Sequence, residues 1–324
     1  MTYILIAKNL ANISHLEMVL SYAYYLCSKG HHVELSCSFY HSIGGKVVIN
    51  KNIFKKYILP SKLKLRNIEN IKYDMPNVIL CNFGFIGIQN IKEALRYKNF
   101  KYFVQMDEGS GSWQNFWTLL SIGIEERKNY NKPWLLYSIK KIISMLVGKT
   151  QYHRVKEWRW VKNGKLNKNL ITYLVKVYQS KYLEPPLPYC KEETWVILTG
   201  GFVESGYVSS KEYVSWLQKV IKKISTKDNT ILLKAHPAED LLKYQPLLKD
   251  VNIVEAKESI DSLLSDRKYH HYKVIGEYST SLVTLNMLYG IETYTIPSLV
   301  YRKLTGQFKV LFHKHVKPFT DIPL

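Results

Sequence analysis

The chain has 324 residues, long for one domain and comfortable for two. Its hydrophobic content of 46% excludes global disorder, and its formal charge of +20 speaks of anionic partners rather than of fold. No apolar run reaches the ~18 residues of a membrane span, no signal-peptide pattern opens the chain, and the four cysteines lack CxxC or zinc spacing, so we expect a cytoplasmic protein with buried thiols.

Tyr3 to Ala7 reads as a buried strand. Asn9 to Ser14 is polar, and Ser14 with Glu17 has the pattern of a capping box. The helix that follows runs to about Ser28, where Gly30 stops it, and His32 to Ser36 makes a second strand. This opening is that of a Rossmann-like domain, but GxGxxG is missing and with it the support for a dinucleotide site. His15 reads as a surface or capping histidine more readily than as a substrate contact. Lys46 to Asp74 is basic and irregular, with short strands at 46–49 and 56–59. Asn77 to Phe85 is a strong buried strand, Ile88 to Arg96 a helix, and Lys101 to Met106 the next strand. That strand runs directly into Asp107-Glu108-Gly109, two carboxylates and a glycine in an open turn. Strand-end carboxylates can serve as general bases, and equally as caps for the next helix.

Pro133 to Gly148 has apolar residues at helical spacing with lysines interleaved. We expect this stripe to pack on the chain's own domain; the rival is an amphipathic helix lying on an anionic membrane. Arg154, Lys156, Arg159, Lys162 and Lys165 extend the basic character. Leu183-Glu-Pro-Pro-Leu-Pro188 cannot form helix and reads as a linker. It sets the expected domains at 1–182, with a basic helical insertion, and 183–324.

The second half restarts the same grammar. Thr194 to Thr199 is a strand that ends in Gly200-Gly201, where a ligand can approach the backbone closely. Ser209 with Glu212 is a capping box, and Val214, Leu217, Val220, Ile221 and Ile224 mark one helical face. Thr230 to Ala235 is a strand that stops at His236-Pro237, because proline cannot extend the ladder. Asn252 to Glu255 is a short strand, Ile260 to Leu264 a short helix, and Lys273 to Gly276 another strand. After Ser279-Thr280-Ser281, a helix runs from about Leu282 to Tyr289, ended by Gly290, before a strand at 293–296. The alternation implies a second parallel, doubly wound sheet. The tail from Tyr301 is basic, and Pro318 and Pro323 limit its helix.

Hydroxyls and free N–H groups at a helix N-terminus make an anion site, or an ordinary cap. His236 ends another strand of the same half, and an imidazole beside a phosphate can bind it or protonate it as it leaves. An acidic pair plus Gly, then His-Pro, then a hydroxyl pair, in this order and at strand ends, resembles bacterial sialyltransferases of the two-Rossmann-domain (GT-B) type. These include the lipooligosaccharide and capsular polysialic acid enzymes.

The resemblance implies an α/β fold with two doubly wound parallel-sheet domains facing across a cleft. The first would bind acceptor and the second the nucleotide donor. It implies an inverting, metal-independent transfer of sialic acid from CMP-sialic acid to a lipopolysaccharide, lipooligosaccharide or capsule glycan, with no cofactor. Asp107, or less readily Glu108, would be the general base. His236 would contact the CMP phosphate and act as acid for the leaving group. Thr280 with Ser281, or Ser279 with Thr280, would bind that phosphate, and Glu255 or Glu258 the ribose. Gly200 and Gly201 would line the nucleotide cleft, with Gly109 and Pro237 completing their motifs. Expected partners are a CMP-sugar nucleotide, a glycan or glycolipid acceptor and the cytoplasmic face of an anionic inner membrane. Nucleic acid is not expected, for no RRM, KH, zinc-finger or basic-zipper signature is present.

Two transferase rivals share much of this reading. A CDP-polyol phosphotransferase of teichoic-acid type would carry Lys234-Ala-His-Pro237 as its Lys-x-His-Pro element, but its acceptor-side histidine pattern is not evident. The other is a related glycosyltransferase using another sugar nucleotide. The rival of a different class is a non-catalytic basic protein that binds nucleic acid or membrane.

Overall fold

The computed structural model describes residues 1–10, 13–39, 51–107, 116–129, 133–162, 165–181, 187–204, 206–236, 239–254, 258–297, 299 and 306–319. Contacts divide the chain into two units, Met1–Lys181 and Tyr182–Leu324.

In the first unit six parallel strands form one sheet: β1 (Thr2–Leu10), β2 (His32–Phe39), β3 (Leu63–Leu65), β4 (Val78–Phe83), β5 (Phe100–Met106) and β6 (Val155–Trp158). Their order is β3-β2-β1-β4-β5-β6. Ile4 to Ala7 and Val78 to Leu80 are buried side chain after side chain, as a parallel sheet covered on both faces requires. The helices of this unit are α1 (Ile13–Ser28), α2 (Ile88–Ala94), α3 (Phe116–Asn129), α4 (Trp134–Lys149) and α5 (Lys168–Gln179). A small antiparallel pair, β7 (Val161–Lys162) and β8 (Lys165–Leu166), follows β6.

The second unit repeats the plan. Its strands are β9 (Thr194–Leu198), β10 (Thr230–Lys234), β11 (Asn252–Val254), β12 (Lys273–Gly276), β13 (Glu292–Thr295) and β14 (Lys317–Pro318), in the order β11-β10-β9-β12-β13-β14. The helices are α6 (Ser210–Ile224), α7 (Ile260–Leu263), α8 (Thr280–Tyr289) and α9 (Gly306–His315). The face of α6 read from the sequence, Val214 through Ile224, is buried, and the Ser209 hydroxyl accepts the Glu212 N–H at 3.2 Å as its cap. Both sheets reverse their direction of growth between their first and fourth strands, the place where open α/β sheets bind ligands. Both units are therefore Rossmann-like, as the sequence implies.

Several local expectations are corrected. Helix α1 begins at Ile13, so Ser14 lies inside it and is not its cap. Glu17 is fully buried and pairs with Lys181 at 3.0 Å, a long-range contact that no local pattern reveals. His15 is not at the surface: it is buried and stacks on Phe83, ring centroids 4.2 Å apart. Residues 51–56 form a 3₁₀ helix where a strand was expected from 56. Segment 46–49 lies outside the described residues. Helix α5, which buries Leu170, Leu174, Val177 and Tyr178, is an element that the sequence reading does not include. All four cysteines are free thiols; Cys27 is buried, and Cys37, Cys81 and Cys190 are half-buried.

The stripe of α4 does not pack on its own unit. The helix buries Ser138, Met145 and Gly148 instead. A side chain at Gly148 would collide with the Ile86 carbonyl, so the helix seats closely on its small-residue side and turns its leucines and isoleucines outward.

Candidate active site

In the second sheet, Lys234, Leu198 and Gly276 stand in register across β10, β9 and β12. Neighbouring strands lie ~4.8 Å apart, so the turns that follow these residues leave the sheet within roughly 10 Å of one another. Those turns carry His236, Gly200-Gly201 and Ser279-Thr280-Ser281. Three motifs distant in sequence thus share one carboxyl edge, flanking the point where the sheet reverses.

His236 faces Gly201: a Cβ there would lie 3.6 Å from the imidazole Nδ1. The histidine is exposed, yet the protein atoms crowding its ring push its pKa below the ordinary value, against the pull of Glu239. Its backbone is pinned from below. The His236 N–H donates to Glu239 Oε2 at 2.7 Å and to the Thr199 hydroxyl at 3.2 Å. Glu239 is buried and also accepts from Lys243 at 2.7 Å, from Tyr244 at 2.7 Å and from the Thr199 hydroxyl. Lys243 reaches on to Glu204 at 2.9 Å, whose same oxygen accepts the Asp240 N–H. The Gly200 N–H donates to Tyr213 at 3.1 Å. One buried carboxylate therefore ties the β9 and β10 turns together.

At the start of α8, Ser279 has extended backbone and its hydroxyl accepts the Ser281 N–H at 3.2 Å. The Ser281 hydroxyl donates to Asp261 at 3.0 Å, and Thr284 donates to the other oxygen of that buried carboxylate. Among the described residues the Thr280 hydroxyl has no hydrogen-bond partner. Of the three hydroxyls, one caps the helix, one is held by Asp261, and Thr280 stays available. The first-turn N–H groups of α8 add partial positive charge.

Lys234 is buried, and desolvation pushes its pKa down to about 8 against the opposing pull of Glu258 and Glu239. Its ammonium donates to the Ala235 carbonyl at 2.9 Å. Glu258 is buried as well, and its charge acts on Lys234 to raise the lysine pKa. Glu255 and Pro237 lie outside the described residues.

In the first unit Asp107 follows β5 and is buried. Its Oδ1 accepts from Arg159 Nε at 3.0 Å and its Oδ2 from the Trp160 N–H at 2.6 Å. Both donors come just after β6, whose Trp158 is in register with Met106. Asp107 is thus a fixed anion at the carboxyl edge of its own sheet. Glu108 and Gly109 lie outside the described residues.

Sequence reasoning missed Glu239, Asp261 and Arg159 in these roles. The first stands three residues after His236, a spacing that a turn read for its acceptors could have offered. The other two have no local signal, because their partners lie 20 and 52 positions away.

Residues 161–297 match the family model of the alpha-2,8-polysialyltransferases. No curated protein sequence matches the chain. Among solved structures, the GT-B domain of a Photobacterium damselae sialyltransferase is 14% identical, with 98% of this chain and 100% of that one covered and a TM-score of 0.45. A 2,6-sialyltransferase of Photobacterium sp. JT-ISH-224, solved with CMP and lactose, is 12% identical over 99% and 79%, with a TM-score of 0.48. A Listeria monocytogenes structure assigned as a UDP-N-acetylglucosamine 2-epimerase is 10% identical over 97% and 83%, with a TM-score of 0.52, which supports the fold. The twin doubly wound sheets are thus of the GT-B kind, and residues 161–297 are similar to the alpha-2,8-polysialyltransferases.

Proposed function

We propose that the chain transfers sialic acid from CMP-sialic acid to a bacterial surface glycan, with inversion and without a metal or other cofactor. The observation that carries this reading is His236 against Gly201, beside the hydroxyl-bearing N-terminus of α8, on one sheet edge. The CMP phosphate would lie on the α8 N–H groups and Thr280, with Ser279 and Ser281 shaping the turn. Glu258, or Glu255, would reach the ribose. Asp107 would take the proton from the acceptor hydroxyl, whose oxygen then attacks the anomeric carbon. Breakage of the carbon–oxygen bond to CMP leaves electrons on a phosphate oxygen, and His236 gives that oxygen its proton.

The family match favours an acceptor that already ends in sialic acid, within a capsule, lipopolysaccharide or lipooligosaccharide. A chain of +20 suits such a polyanion and a cytoplasmic, peripheral position on an anionic inner membrane.

Thermal shift with CMP, UMP and CDP-glycerol tests the donor assignment. CMP should stabilise the wild type above UMP, and His236→Ala should lose most of that shift. Stabilisation by CDP-glycerol above CMP would move the reading to a polyol-phosphate transferase. No nucleotide effect on a folded chain would overturn it.

A further inference from the structure

Helix α4 presents an apolar arc to solvent. Leu135, Leu136, Ile139, Ile143 and Leu146 are each 47% to 59% exposed. At ~100° per residue these five fall within one arc of about 100°, opposite the buried Ser138, Met145 and Gly148. Exposed Lys140 stands at one margin of the arc and exposed Lys149 at the other. The helix has a third lysine, Lys141, and no acidic residue. Helix α3 adds cations beside it: the Arg127 guanidinium lies 4.2 Å from the Tyr137 ring centroid and the Lys128 ammonium 4.7 Å from that of Trp134. Trp117 and Trp134 are exposed as well, and indoles of this kind favour the boundary between head groups and acyl chains.

Isolated exposed leucines need no explanation, but a continuous stripe bordered by lysines does. A second copy of the chain is a poor occupant, since a two-fold pairing on this face would bring the same lysines together. No helix of the described residues is long and apolar enough to cross a membrane, so the stripe belongs to a helix lying along a surface. We propose that α4 seats the chain on an anionic lipid surface, its apolar arc among the acyl chains and its lysines at the head groups. This names the surface behind the membrane-face part of the preceding reading and rests on that part alone.

The test is flotation of the full chain, without sugar nucleotide, with vesicles of phosphatidylcholine alone or mixed with phosphatidylglycerol. Wild type should float with the anionic vesicles, weakly with the neutral ones, and less as salt rises. Ile139→Asn/Ile143→Asn should weaken binding roughly 10-fold or more while leaving circular dichroism and the CMP thermal shift unchanged. If that pair unfolds the chain, Lys140→Glu/Lys149→Glu takes its place with the same expectation. Absence of vesicle binding, or variants that bind as well as wild type, overturns the proposal. So does a wild-type dimer that the variants split without any vesicle binding. Binding to lipid without a CMP shift would leave this inference standing and remove the transferase reading; the reverse result would do the opposite.

Discussion

His236 shows how much a single position can carry. Its place was legible because Pro237 must end a strand, and a residue that ends a parallel strand is delivered to the ligand edge. Its electrostatics were not legible, because they come from the crowding around the ring and from Glu239. With its pKa lowered, the imidazole is neutral in the free protein at pH 7, and an arriving phosphate draws a proton onto it. CMP affinity should therefore rise as pH falls from 8 towards the lowered pKa, and titration calorimetry should detect proton uptake on binding. His236→Gln should remove the part of that slope beyond the titration of CMP itself. An identical slope in the variant would sink the assignment of the proton to His236. Asp107 follows similar logic: Asp107→Asn should cost about 10²–10⁴-fold in kcat while leaving CMP affinity near wild type. Equal losses in both would make Asp107 a structural residue.

The elements that build the site were read well where pattern and turn chemistry agreed, as in β9, β10, β12 and α6. They were read poorly where tertiary contact overrode pattern. The apolar stripe of α4 read as core, but Gly148 and Ser138 decide which side is seated. The hub of Glu239 was invisible because its meaning lies in partners on β9 and beyond the β10 turn. Four donors converge on that carboxylate, and an amide can accept through one oxygen only. Glu239→Gln should therefore lower stability by about 3 kcal/mol, since Lys243 and its neighbours lose their shared acceptor. The variant should also weaken CMP binding, as the His236 N–H loses its anchor. Chemical denaturation and CMP titration on the same variant check both. Unchanged stability would show that Lys243 and Glu204 hold the turn without it.

At the scale of the molecule, repetition made the fold legible: the same alternation of strand and helix runs twice, and both sheets adopt one strand order. What could not be read was burial of polar groups across long range, as with Glu17 and His15. Burial lowers the His15 pKa to about 4. A folded-state pKa below the unfolded one means that the unfolded chain takes up the proton first. Stability from neutral His15 is therefore present above about pH 6.5 and lost as pH falls towards about 4, by about 3 kcal/mol. His15→Gln should flatten the acid limb of a stability–pH profile in that window; an unaltered limb would assign the acid sensitivity elsewhere.

The most direct test of the account is CMP release from CMP-sialic acid by the purified chain, with and without an oligosialic acid acceptor, followed by NMR of the product. The account predicts acceptor-dependent release of CMP, an inverted anomeric centre in the lengthened glycan, and loss of both in Asp107→Asn and His236→Ala. Release that is indifferent to those two variants, or no release with any sialylated or surface-glycan acceptor, would contradict it.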